Sequence, residues 1–308
     1  MVILLIIAGV IILHIAFAVI ELSRLKVTEY SISTEKIGKN NKLKIAVLSD
    51  IHCISFGKGN SRLFKMLYET KPDVIVISGD LINGMQRKEL DFARDFLTEL
   101  QSSGIPVIYE YGNHESRLKT RDEEAYNEFV RMTDGLVTVL RNNSCKLNTE
   151  SAENVSFSGL DLPEYMYRQG DFTVNLEKMT EEAIKTPYKV LTDRKGSLQA
   201  DTGEFENVSC GDDSLYRIVI AHDPSHFELY ARAGADLVIA GHYHGGIIRL
   251  PFLGGLVSPK LEFFPRYTKG LYFFKESVMC LSAGIGWHNL PIRFMNRPEI
   301  VVINLGND

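Results

Sequence analysis

The chain has 308 residues, 45% of them hydrophobic and 24% charged, with a formal net charge of −5 at pH 7. This composition excludes a disordered chain, a collagen-like repeat and a coiled coil. The acidic balance argues against a protein that grips nucleic acid through a broad basic surface. Four scattered cysteines, Cys53, Cys145, Cys210 and Cys280, make neither a disulfide framework nor a zinc ribbon.

In chain order, the first feature is a run from residue 2 to 20 without a charged side chain. At 1.5 Å rise per residue such a helix spans roughly 28 Å, close to the hydrocarbon thickness of a bilayer. No Lys or Arg precedes it, so it lacks the basic start of a cleaved signal peptide. We read residues 1–26 as a single-pass N-terminal transmembrane helix that anchors the chain in the cell membrane. Arg24 and Lys26 favour a cytosolic body by the positive-inside rule. Residues 27–42, which include the polar SISTEKIGKNNK, read as a linker. The catalytic domain is expected over 43–308.

Within that domain one pattern recurs five times: a short β-branched run ends in a small residue followed by Asp, Asn or His. Residues 44–48 lead to Ser49-Asp50-Ile51-His52, and 73–77 lead to Ser78-Gly79-Asp80. Residues 106–111 lead to Gly112-Asn113-His114-Glu115, 217–220 to Ala221-His222-Asp223, and 236–239 to Ala240-Gly241-His242-Tyr243-His244. Each run reads as a buried strand. Helical patterns at 62–70 and 89–101 separate several of them, so the sheets should have parallel character. Ligands of such sheets bind at the carboxyl ends of the strands. That edge would gather Asp50, His52, Asp80, Asn113, His114, His222, His242 and His244. Carboxylate, amide and imidazole donors without thiolate suit Mn, Fe or Zn. Seven ligands suit two ions that share a carboxylate, a pair that clamps an in-line displacement at phosphorus. Residues 164–214 lose the strand pattern, carry one helical stretch near 176–185, and read as an insertion or lid.

These five blocks, in this order, resemble the calcineurin-like metallophosphoesterase superfamily. The continuation His244-Gly-Gly-Ile-Ile-Arg-Leu-Pro and the ending around Trp287, Arg293 and Arg297 are similar to its membrane-associated bacterial phosphodiesterase-like branch. The resemblance implies an α/β fold of two packed mixed β-sheets flanked by helices. It implies that Asp50, His52 and His244 hold one divalent metal, that Asn113, His222 and His242 hold the other, and that Asp80 bridges them. A metal-bridged hydroxide would attack phosphorus, and His114 would act on the leaving oxygen. Many members carry an acid three residues after the bridging Asp, able to orient the catalytic His; this chain has Asn83. Two other readings compete, a catalytically weak metal-containing scaffold and a nuclease-like phosphodiesterase.

Aromatic residues interleave with Arg249, Lys260, Arg266, Lys269, Arg293 and Arg297 in the last third of the chain. Such a surface meets phosphate head groups at a membrane. With the anchor, it motivates an amphiphilic, lipid-linked or cell-envelope phosphoester as substrate. No nucleic-acid or obligate protein partner is expected.

Overall fold

The structure, a computed structural model, describes residues 16–38, 41–149, 152–167, 173–185, 189–192, 215–258, 262–287 and 291–307, with Met1 and Gly9. Strands are numbered in chain order. β1 (Lys26–Ile32), β2 (Lys42–Ser49), β3 (Val74–Ser78), β4 (Val107–Glu110) and β5 (Thr138–Leu140) lie in one sheet. The second holds β6 (Asn143–Thr149), β7 (Ala152–Gly159), β8 (Lys189–Thr192), β9 (Tyr216–Ile220) and β10 (Leu237–Ala240). A small ribbon of β11 (Arg249–Leu250) and β12 (Gly254–Gly255) follows. Then β13 (Gly270–Phe274) and β14 (Ser277–Leu281) complete the second sheet, and β15 (Glu299–Gly306) returns to the first.

The first sheet runs β1-β15-β2-β3-β4-β5 and the second β13-β14-β10-β9-β7-β6-β8. In the first, only the β15–β2 pair is antiparallel. Side-chain alternation along each strand builds the layers. In β2, Ile45 and Val47 face the second sheet, where they meet Ile218, Ile220 and Ile239. Ala46 and Leu48 face outward into a core with Leu63 and Leu67 of the helix Ser61–Glu69 and Leu90 and Phe96 of the helix Glu89–Ser102. A third cluster, with Leu176, Ala183, Phe227 and Tyr230, covers the far face of the second sheet. Both faces of the central strands are therefore buried, which is why they read as continuous apolar runs. The expected two mixed sheets flanked by helices are present.

Two expectations are corrected. Residues 27–42 are not a free linker: 26–32 form β1, paired in parallel with β15 over seven residues, and Ile32 and Ile37 are buried. Glu299, buried at the start of β15, ties this strand in by accepting from Thr28 Oγ1 at 2.8 Å and Lys26 Nζ at 3.2 Å. The polar, alternating sequence of β1 is that of an edge strand with one wet face, which accounts for its resemblance to a linker. The described part of 164–214 is likewise built into the body, and its Tyr167 lies against His222 and His242, ring centroids 6.1 Å and 5.2 Å away. The helix Thr173–Lys185 buries Leu176 and Ala183, and β8 adds to the second sheet beside β6. Residues 193–214 lie outside the described residues, as does most of the 2–20 run. Among the described residues no helix is long and apolar enough to cross a membrane. Residues 16–22 are helical.

Candidate active site

The five strand ends come from both sheets: β2, β3 and β4 of the first, β9 and β10 of the second. The edge foreseen as a single row is a cleft between two sheet edges, and this brings the eight candidate residues face to face. The turns that follow the strands have left-handed backbone at Asp50, His52, Asp80, His242 and His244, with φ between 47° and 70°. Five non-glycine residues held in that sparsely populated region mark a constrained site. The glycines beside them are there for clearance. A Cβ at Gly241 would collide with Ser49 Oγ and Asp50, and one at Gly112 with Asp80.

All eight residues are buried, from Asp50 and His222 at 0% exposure to His242 at 8%. Asp80 lies at their centre. Its Oδ2 is 3.0 Å from His222 Nε2 and 3.8 Å from both His52 Nε2 and His114 Nε2. Asp50 Oδ1 is 3.4 Å from His244 Nε2 and 3.7 Å from His222 Nε2. His52 and His244 stack, their Nε2 atoms 3.2 Å apart. Two donor groups result, Asp50–His52–His244 and Asp80–His222–His242, each with its ligand atoms within 4.8 Å of one another. A third, His52–Asp80–His114, lies between them. Asn113 Oδ1 is buried with no hydrogen-bond partner among the described residues. A buried carbonyl oxygen left in that state costs about 1–3 kcal/mol, which a cation would offset.

The charge balance points the same way. Burial pushes the Asp50 carboxyl up to about 6 against the pull of His222. Burial would raise Asp80 as well, but His114, His222 and His52 outweigh it and hold that carboxyl well below the usual range. Burial works against an imidazolium at His222, yet Asp80 and Asp50 hold its pKa well above the ordinary value. Two buried carboxylates so close together demand positive charge. The donor set, with oxygen and imidazole ligands and no thiolate, fits divalent cations.

Supporting contacts fix each ring. His222 Nδ1 donates to Ser78 O at 2.9 Å, which turns Nε2 toward Asp80. His114 Nδ1 donates to Asn83 O at 2.7 Å, so its Nε2 faces Asp80 too. The side chain of Asn83 is turned elsewhere, its Nδ2 donating to His52 O at 3.1 Å. The backbone, not the side chain, of position 83 therefore orients His114.

Sequence reasoning passed over several residues that build the cleft. Glu115 is fully buried and accepts from the backbone N–H groups of Asp80, Leu81, Ile82 and Gly112 and from Tyr109 Oη. It clamps the turn after β3 to the start of the helix Asn113–Arg121. Its place within Gly-Asn-His-Glu was the available signal. Arg293, grouped earlier with surface cations, is 1% exposed; its Nη2 lies 3.4 Å from His244 Nδ1 and its Nε donates to Gly286 O. Burial lowers its pKa to about 10 while Asp50 and Glu299 pull the other way. Cys53 is half-buried, and burial pushes its thiol up to about 12, which suits a packing neighbour and not a ligand. His226 lies in the 3₁₀ turn Pro224–His226, edge-on to Tyr230, and belongs to none of the three donor groups. His288 lies outside the described residues.

A cleft of this kind at the carboxyl ends of two packed sheets offers carboxylate and imidazole groups that could hold divalent cations, and comparison with known proteins gives the family. Residues 43–246 match the family model of calcineurin-like phosphoesterases, and the chain belongs to that family. An uncharacterised metallophosphoesterase of Bacillus subtilis, YkuE, is 25% identical over 91% of this chain and 85% of its own length. The phosphodiesterase YaeI of Escherichia coli is 25% identical over 85% of this chain and 82% of its own. The crystal structure of a dimetal phosphatase from Danio rerio aligns over 80% of this chain and 88% of that one, at 12% identity and a TM-score of 0.39. The chain is a phosphoric ester hydrolase.

Proposed function

We propose that this enzyme hydrolyses phosphodiester bonds with two divalent cations, Mn, Fe or Zn. Asp50, His52 and His244 would hold one and Asn113, His222 and His242 the other, with the Asp80 carboxylate placed between the two groups. The observation that carries this reading is the central position of Asp80 Oδ2, within 3.8 Å of imidazoles from both donor groups. Two cations there supply Lewis-acid polarisation of the phosphoryl group and lower the pKa of the attacking water. The chain's own groups do the rest. Ser78 O fixes the His222 tautomer, and Arg293 backs His244, so both rings present Nε2 inward. His114, its Nδ1 proton held by Asn83 O, turns Nε2 to the leaving oxygen as a proton donor or hydrogen-bond partner. Preference for a diester follows the resemblance to the phosphodiesterase YaeI.

The uncharged run at 2–20 supports a single membrane anchor, Arg24 and Lys26 on its C-terminal flank support a body on the cytosolic side, and the anchor supports an amphiphilic phosphoester as the substrate. The decisive experiment pairs metal analysis of the full chain with turnover of a chromogenic diester in Mn²⁺. Two ions per chain and diesterase activity are expected. One ion or fewer, or hydrolysis of monoesters alone, overturns the reading.

A further inference from the structure

We infer that the segments 16–22, 251–253, 263–264 and 294–295 form one apolar face that inserts into an anionic bilayer and holds the cleft at head-group level. The exposures are unusual for a folded enzyme: Phe252 is 107% exposed, Phe263 75%, Leu253 65% and Phe264 57%. A protein exposes such aromatics together at a surface that something apolar covers.

The contacts show that these segments are neighbours. Phe17 packs edge-on against Phe294, ring centroids 5.5 Å apart. Phe294 is sewn to the β11–β12 ribbon, its carbonyl accepting from Arg249 N and its N–H donating to Ile247 O. The tip of that ribbon is Pro251-Phe252-Leu253. Beyond the ribbon, Val257 bridges to Phe263, and Phe264 N donates to Leu256 O. Val19, Ile20 and Met295 are exposed along the same line of contacts. The helix at 16–22 continues the uncharged run that begins at residue 2.

The occupant follows from the rim. Where that helix ends, Arg297 Nε donates to Arg24 O and Arg62 Nη1 donates to Ser23 O. Two guanidinium groups, those of Arg297 and Arg62, thus gather beside the end of the apolar helix, the pattern that suits acyl chains below and anionic head groups beside them. The face also reaches the cleft directly. Asn296, next to Met295, donates from Nδ2 to His244 O at 2.6 Å and from its backbone N to Glu21 Oε2 at 2.9 Å. A phosphoester carried by an amphiphile in the same bilayer would enter the cleft at the depth where its phosphate already lies. This last step rests on the phosphodiester reading above; the insertion of the face does not.

The test places tryptophan at Phe252→Trp, at Phe264→Trp and, on the opposite edge, at Ser102→Trp, each in the full chain carrying Trp287→Phe. Vesicles of phosphatidylcholine and phosphatidylglycerol with acyl-brominated lipid are the probe. Several-fold stronger quenching at 252 and 264 than at 102 is expected. Equal quenching at all three positions overturns the inference. So does absent quenching with self-association that Phe252→Ser/Phe264→Ser abolishes, since a second copy would then cover the face. In a second arm, Phe252→Ser/Phe264→Ser should raise KM for a vesicle-borne diester roughly tenfold and leave kcat/KM on a soluble diester unchanged; an unchanged interfacial KM removes the link to substrate. Failure of the wild-type chain on the soluble diester would sink the phosphodiester reading and leave the quenching result standing.

Discussion

Asp80 and Glu115 divide the chemistry of the cleft from its construction. Asp80→Ala removes the oxygen shared by both donor groups, so metal content should fall below two ions per chain, with turnover down by at least about 10³-fold. Elemental analysis beside a diester assay checks this. His114→Gln should keep both ions and lose roughly 10²–10⁴ in rate, the usual weight of proton transfer; full activity would remove His114 from the reaction. Glu115→Ala strips the partner from four buried backbone donors and one phenol. A loss of about 3 kcal/mol or more is expected in denaturant unfolding. Asn83→Asp would set a carboxylate against the His52 carbonyl, replacing a donor by an acceptor, so kcat should fall modestly; a rise would mean position 83 reaches His114 through its side chain. The candidate residues that the cleft brings together were legible in the sequence because they follow at once on the ends of five apolar strands, a local pattern. Glu115 and Arg293 were not, because their meaning lies in which distant turns they bridge.

At the scale of elements, the five ligand-bearing strands and the helices between them were readable from apolar runs and periodicity. Their division between two sheets was not, since a buried strand looks alike in either. β1 was missed for a different reason: an edge strand with one wet face has too few apolar residues to stand out. Its pairing with β15 carries the first sheet out to residue 26. A variant beginning at residue 24 should elute as a monomer and turn over the soluble diester. One beginning at residue 43 loses β1 and the buried Ile32 and Ile37, leaves β15 as an open edge, and should aggregate on size-exclusion chromatography. Equal behaviour of the two would show that β1 adds nothing to the sheet.

Over the whole molecule, two apolar cores behind the sheets and one between them hold the strands rigidly, while the cleft gathers buried charge that only cations balance well. Chelation should therefore lower thermal stability as well as activity. At metal concentrations about 100 times Kd each bound ion contributes about 2.7 kcal/mol, roughly 5.4 kcal/mol for the pair. Their removal should lower Tm by roughly 5–10 °C, read by calorimetry with and without chelator. An unchanged Tm would mean that the protein binds no metal under those conditions.

The strand order also governs how the polypeptide is made. β15 lies between β1 and β2, so a sheet begun by residues 26–32 waits for residues 299–306. Until β15 leaves the ribosome, β1 has no neighbour to pair with and β2 keeps a bare flank. A nascent chain halted before residue 299 would leave both uncovered, open to chaperones and proteases.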